Sequence, residues 1–258
     1  MGRKERNMKE KLYTIDVNDA WKAGDECPFC YLERKLEQDT ISFVLGSSYM
    51  ESDIREQTDQ IGFCRVHTKK MYDYGNYLGN AWILKTRMKY LNQNLKERMK
   101  EYSPEKKSFL SKWKKTEEGK LPEPIRFIKE QESHCYICQR MDMTYQRYLD
   151  TFIYMVKQDG EFLKKIEQSK GMCMHHFAQV LEKCEQKLDG AEKEKIVLLL
   201  YQKMSENLDR IQEDIDWFIE KYDYRNADAD WKNSKDAVPR TMQKIVGGYP
   251  ADPVFRKE

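Results

Sequence analysis

Histidine and cysteine are scarce in this chain, four and seven in 258 residues, and so are the turn formers, with 12 glycines and 7 prolines. Few turns and no sustained apolar/polar alternation argue against a sheet, which needs both. The longest purely apolar run is Ile196–Tyr201, far short of a membrane-spanning segment. The opening MGRKERNMKEK holds no apolar stretch of the signal-peptide kind, and Arg6 stands where a myristoylation motif needs Ser or Thr. A net charge of +2 from 46 basic and 44 acidic residues gives no overall field for nucleic acid or an anionic membrane. Familiar catalytic signatures are missing too: no G-x-S-x-G, no P-loop, no G-x-G-x-x-G and no H-E-x-x-H. Asp214 and Asp216 fall on different faces of one helical stretch, so they do not form an acid–base pair.

What remains is helix. In residues 191–223, Ile196, Leu200, Met204, Leu208, Ile211, Ile215, Phe218 and Tyr222 recur at spacings of three and four. Met141, Tyr145, Tyr148, Leu149, Phe152 and Val156 do the same, as do Trp82, Met88, Leu91, Leu95 and Met99. Glycines at 46, 62, 160, 171 and 190 sit between these segments, as helix stops do. The expected fold is all-α.

The helices fall into two similar halves. CPFC (27–30) and CYIC (135–138) each precede a helical segment, then a short polar helix, then GFCRVH (62–67) or GMCMHH (171–176), then a long helix. Cys30 to Cys64 is 34 positions and Cys138 to Cys173 is 35, which points to an internal duplication. The expected organisation is a first repeat over residues 1–102, a charged linker over 103–124, a second repeat over 125–223, and a C-terminal helix with an extended tail over 224–258. The linker carries Lys106, Lys107, Lys112, Lys114 and Lys115 around Trp113; nearby glutamates dilute this basic patch, and a solvated linker is the simpler reading. In the tail, Ser234 can cap a helix, Pro239 can sit in its first turn, and Gly247-Gly248 can end it. Tyr249, Val254 and Phe255 beyond it are expected to cover the protein's own surface.

Each half thus carries C-x-x-C and then C-x-x-H. Three thiolates and one imidazole are a complete tetrahedral set for Zn²⁺, with metal–sulfur distances of about 2.3 Å. Two residues between cysteines allow a tight knuckle that aims both sulfurs at one point, and i, i+3 ligands share a helix face. The turn at Gly62 or Gly171 places Cys64 and Cys173 near a helix N-terminus, which favours the thiolate. The eight candidate ligands are Cys27, Cys30, Cys64, His67, Cys135, Cys138, Cys173 and His176. If each half closes its own site, the first four form one quartet and the last four the other. Pairing across the halves would keep the count of two zinc ions. Cys and His also ligate iron–sulfur clusters, so residue types alone leave that metal beside zinc.

Three residues are left over. Cys184 falls at helical spacing with Phe177, Val180, Leu181 and Leu188 and reads as core; His175 reads as a polar helix residue and His134 has no place in either quartet. CPFC has the C-P-x-C form of thioredoxin-type sites, but the strand context is missing and CYIC lacks the proline.

The run KLYTIDVNDAW…CPFCYLERKLE…SSYMESDIREQT…GFCRVH, with DIDWFIEKYDYRNA and SKDAVPR near the end, resembles an uncharacterised family of Firmicute bacteria catalogued as a domain of unknown function. The resemblance covers nearly the whole chain and implies a bacterial, cytoplasmic origin, with no established activity. The expectation is a non-enzymatic binding or adaptor protein with a protein partner, no nucleic acid and no membrane. The alternative is a thiol-redox or metal-handling protein.

Overall fold

The computed structural model describes residues 12–100, 102 and 121–248. The lysines around Trp113 and the tail residues Tyr249, Val254 and Phe255 lie outside the described residues. Among the described residues there are eleven α-helices and no strands. They are α1 (Thr14–Lys22), α2 (Pro28–Leu45), α3 (Ser52–Ile61), α4 (Arg65–Asp73), α5 (Tyr77–Lys100), α6 (Glu123–Ser133), α7 (Tyr136–Gln158), α8 (Gly160–Gln168), α9 (Met174–Lys187), α10 (Gly190–Glu220) and α11 (Ala237–Val246). The fold is all-α.

The duplication is visible in the order of elements. C-x-x-C opens α2 and α7, C-x-x-H opens α4 and α9, and a long helix follows each time. Even the interiors of those long helices correspond. Ile83 and Ile196 are buried, and eleven positions later Asn94 and Asn207 each donate to the carbonyl four residues back, at 3.0 and 2.9 Å. Among the described residues, α11 has no counterpart in the first half.

The compact units are not the two halves of the chain. One unit takes the described residues up to Glu37 together with those from Asp142 onward, and the other takes Gln38–Met141. The chain passes between them inside α2 and inside α7. Each unit therefore combines the knuckle of one repeat with the C-x-x-H of the other.

The first unit is built on aromatic rings. Trp21 of α1 stacks on Phe152 of α7 at 5.2 Å between centroids and meets Phe29 edge-on at 5.2 Å, while Phe162 of α8 closes the cluster at 5.3 Å. Aromatic pairs at these separations add about 0.5–1.5 kcal/mol each beyond burial. The second unit has an aliphatic core, Ile41, Val44, Leu45, Met71, Ile83 and Ile137.

Two expected faces shift. On α5 the buried line is Gly79, Ile83 and Arg87, while Met88 and Met99 point outward. Arg87 goes inward because its guanidinium caps the end of α3, donating to the carbonyls of Asp59 and Gln60. On α10, Ile196, Leu200, Met204 and Ile211 are buried as expected, but Leu208 and Tyr222 are exposed. The C-terminal helix forms with Pro239 in its first turn and ends at Gly247, whose φ of 80° is one that glycine adopts without strain. Ser234 does not cap it; its hydroxyl donates to the carbonyl of Trp231 within a short 3₁₀ turn.

Candidate metal centres

All four cysteine motifs use one local device. Cys27, Cys64, Cys135 and Cys173 each stand immediately before a helix, and the carbonyl of each accepts the first helical hydrogen bond, at 2.9–3.2 Å. The second residue of each motif, Cys30, His67, Cys138 or His176, is then the third residue of its helix. The thiols of Cys64 and Cys173 take the place of the usual Ser or Asp cap, accepting from the backbone N–H of His67 at 3.5 Å and of His176 at 3.4 Å. Each sulfur thus faces the positive end of a helix, where negative charge is favoured by about 0.3–1 kcal/mol. Gly62 and Gly171, with φ of 75° and 71°, turn the chain into these caps. In the second unit the Gly62 carbonyl also accepts from the N–H of Tyr136, tying α3 to the knuckle at 2.9 Å. Pro28 holds the matching place in the other knuckle and has no N–H to give.

The quartets are crossed. Cys27 and Cys30 meet Cys173 and His176, whereas Cys135 and Cys138 meet Cys64 and His67. The simple expectation that each half closes its own site is corrected. A knuckle and the C-x-x-H of the same repeat belong to different compact units, so ligands 34 residues apart are separated while ligands 143 residues apart converge. All eight expected ligands are in the two groups.

The first group is close to the dimensions of a tetrahedral site, with the nitrogen–sulfur distances a few tenths of an ångström short. His176 Nδ1 lies 3.3 Å from Cys27 Sγ, 3.5 Å from Cys30 Sγ and 3.1 Å from Cys173 Sγ, and Cys30 Sγ lies 3.8 Å from Cys173 Sγ. Four donors bound at about 2.0–2.3 Å to one tetrahedral ion stand roughly 3.6–3.8 Å apart. Three thiols and a ring nitrogen drawn this close without a disulfide fit such an ion. All four residues are buried, Cys27, Cys173 and His176 completely. In the second group His67 Nδ1 lies 3.3 Å from each of Cys64, Cys135 and Cys138. This group is more open: Cys64 is half-buried and Cys138 is exposed.

The protonation of the sulfurs follows from their neighbours. Burial, then the adjoining sulfurs, drives the Cys27 thiol far up. Hydrogen bonds from Cys27 and Cys30, then His176, hold Cys173 far down, so the metal-free group keeps its negative charge there. Burial disfavours charge on His176, but Cys173, Cys30 and Glu33 outweigh it and raise the ring to about 11. In the second group, burial opposes ionisation of Cys135, yet His67 and the N–H groups of Cys138 and Cys64 bring it down to about 6. Partial burial and the neighbouring Cys135 and Cys64 push Cys138 up to about 12.

Sequence reasoning missed three residues around the first group. Glu33, one turn beyond Cys30, places Oε2 3.2 Å from His176 Nε2, on the side of the ring away from the sulfurs. Carboxylates in that position orient ligand imidazoles. Gly247 presses on the sulfurs, and a Cβ there would stand 3.4 Å from Cys173 Sγ and 3.8 Å from Cys30 Sγ. Lys244, 1% exposed, donates to the carbonyls of Glu26 and Lys170. Burial disfavours its charge, and Glu26 and Cys27 oppose that. A dication with three thiolates carries one net negative charge, which a buried ammonium offsets. Glu33 was recoverable from its spacing to Cys30; Lys244 and Gly247 come from α11, which no repeat motif marks.

Of the residues left over, Cys184 lies in the core as expected, whereas His175, expected as a polar helix residue, also gathers with Glu33 and His176 in a third group of possible ligands. Cys184 is fully buried in α9, His175 is exposed beside Gln179, and His134 is exposed with Nδ1 on the Glu130 carbonyl.

Residues 8–252 match a family described as "Family of unknown function (DUF6062)". The chain belongs to this family. A relative that is similar over the same region is the "Uncharacterized 23.9 kDa protein in xynA 3'region" of Caldicellulosiruptor sp. (strain Rt8B.4), 23% identical over 202 residues, which cover 78% of this chain and 85% of that protein. No solved structure matches the chain. For this DUF6062 member, the two Cys/His quartets and the helices that carry them are the basis for a functional reading. Among the described residues no helix is long and apolar enough to cross a membrane.

Proposed function

We propose that the protein is a non-enzymatic helical binding protein of the adaptor type, with one zinc ion in each quartet and a protein partner on its helical surface. The supporting observation is the closure of the first quartet. Four protein donors at tetrahedral separation, all buried, leave no coordination position for a substrate. A site of that kind supplies folding energy, and its crossed ligands tie residues near the start of the chain to residues in its second half. Zinc suits three thiolates and an imidazole, has no redox chemistry and imposes no other geometry. Free thiols in such number suit a reducing compartment, so the cytoplasm is the proposed location.

Metal analysis and an optical spectrum of protein purified without chelator test this reading. About two equivalents of zinc and a colourless solution are expected. Less than half an equivalent of any metal overturns it, and a brown protein containing iron replaces zinc by an iron–sulfur cluster.

One observation favours a second reading, that of a thiol-redox or metal-handling protein: Cys138 is exposed in the second quartet. If that site works by exchange, mild oxidant at pH 7 releases its metal within minutes while circular dichroism shows the helices intact. Release only on unfolding supports the adaptor reading.

A further inference from the structure

Beside the first quartet, within the same unit, lies a cleft of about 640 Å³ that no cysteine motif accounts for. Glu26 forms part of it, the end of α8 and the following turn form one side, and α10 and the start of α11 form the others. All twelve lining residues are polar or charged, which excludes an apolar ligand or a greasy peptide. Four basic side chains, Lys170, Lys203, Arg210 and Arg240, share the wall with four acidic ones.

The charges are not simply self-satisfied. Glu26 is 4% exposed and stands among four cations: Arg210 at 2.5 Å, Lys244 at 3.4 Å, and Lys170 and Arg240 at 3.8 Å. Lys244 reaches it from outside the lining, where its charge offsets that of the quartet, so the four cations and four carboxylates of the lining balance. Arg240 is already held by Asp214 at 2.7 Å and Asp236 at 2.9 Å. Donors remain elsewhere. Lys203 makes one contact, to Glu206 at 2.7 Å, and Arg210 Nη1 has only Asp214 at 3.9 Å. On the acceptor side, Glu26 Oε1 is buried with no hydrogen-bond partner, because Lys170 and Arg240 are too far to donate. A buried carboxylate oxygen left without a donor keeps its full desolvation penalty, which a ligand donor would relieve. The cleft thus combines spare donors on Lys203 and Arg210 with one unused buried acceptor on Glu26.

It is also outside the repeat. The residue before the second knuckle is His134, which is exposed, where the first has the buried Glu26. Among the described residues, the wall supplied by α11 has no partner in the first half. Duplication alone does not produce this cleft.

We propose that the cleft binds a small organic anion bearing hydroxyl groups, of the hydroxycarboxylate or sugar-phosphate class. Lys203 and Arg210 receive the anionic oxygens, and a ligand hydroxyl donates to Glu26 Oε1. Lys170, whose side chain is 47% exposed, swings aside to admit that hydroxyl. Because the site stands on Glu26, α10 and α11, it goes beyond the adaptor reading and can fail without it.

Titration calorimetry of the full metal-loaded chain tests the assignment, with D-glycerate, glycerol 3-phosphate and inorganic phosphate as probes. Saturable binding of at least one hydroxyl-bearing anion is expected, and which one binds tighter separates carboxylate from phosphate recognition. Lys203→Ala weakens all probes that bind, by about tenfold or more, for the loss of a charged contact. Glu26→Gln weakens only the hydroxyl-bearing probes. Absence of saturable binding for both organic anions overturns the proposal, as does binding that Lys203→Ala leaves unchanged. Metal content measured on each variant separates this result from damage to the quartet. If Glu26→Gln loses metal, Lys203→Ala with its metal intact decides.

Discussion

His176 Nδ1 lies 3.3 Å from Cys27 Sγ although 149 residues separate them. That contact makes the crossed pairing a matter of counting metal ions. Cys27→Ser with Cys173→Ser removes two ligands from one site and leaves about one zinc per chain. Cys27→Ser with Cys64→Ser strikes both sites and leaves almost none. Pairing within each repeat predicts the reverse, so elemental analysis of the two double variants decides between them. Structural zinc in small peptides corresponds to about 10–16 kcal/mol, more than the usual stability of a domain. Both variants therefore melt well below the parent, and the second lies lowest.

The helices, the duplication and the eight clustered Cys and His side chains were legible because each rests on local chemistry: periodicity, a glycine turn, a thiol at a helix N-terminus. The pairing was not. Cys30 reads the same whether its fourth partner is His67 or His176, since both histidines sit three residues after a capping cysteine. Only the course of α2 and α7, which leave one unit and enter the other, separates the possibilities. The α5 face was misread for a similar reason. Arg87 looks like a surface residue until the carbonyls at the end of α3 are placed beside it. Lys244 belongs to the same class, because a buried ammonium has no signature until the groups around it are known.

The two quartets differ in access, and this difference is measurable. Cys138 is exposed while every ligand of the first group is buried. Treatment of loaded protein with a colorimetric chelator and iodoacetamide releases the second site's metal first, and peptide mapping finds the earliest alkylation on Cys138. In the metal-free chain the order changes. Cys138, pushed up to about 12, keeps its proton at pH 7, whereas Cys135, near 6, is ionised. The thiolate is the nucleophile, so early labelling then shifts towards Cys135. Equal release from both sites contradicts the asymmetry.

Glu33 is expected to act through His176. Its Oε2, 3.2 Å from Nε2, holds the ring with Nδ1 towards the sulfurs. Glu33→Gln keeps the size but loses the charge, and zinc affinity at the first site falls by about 10–100-fold, the range for such supporting carboxylates. Affinity at the second site stays unchanged, which separates a local effect from general loosening. Competition with a chelator of known affinity, read for the first site in a Cys64→Ser background and for the second in a Cys173→Ser background, gives both numbers. An unaltered first-site affinity shows that packing alone, from Phe29 and Tyr145 at 5.8 and 5.6 Å, holds the ring.

Cys184 allows a test of pH dependence away from the metal ligands. Burial, with a smaller push from Glu185, raises its thiol to about 11, above the ordinary value of about 9. The folded chain therefore keeps this proton at a pH where the unfolded chain has lost it. Its contribution to stability is complete below pH 9 and disappears between about pH 9 and 11, because the unfolded state binds fewer protons there. The loss over that window is at most about 2–3 kcal/mol. Cys184→Ala removes the titration and gives a flatter alkaline limb, at the cost of a packing defect of about 1–2 kcal/mol that does not vary with pH. Urea unfolding of parent and variant at pH 8, 9, 10 and 11 measures both terms. The curves converge as pH rises if the thiol is buried and neutral; parallel curves mean that Cys184 titrates as it does in the unfolded chain.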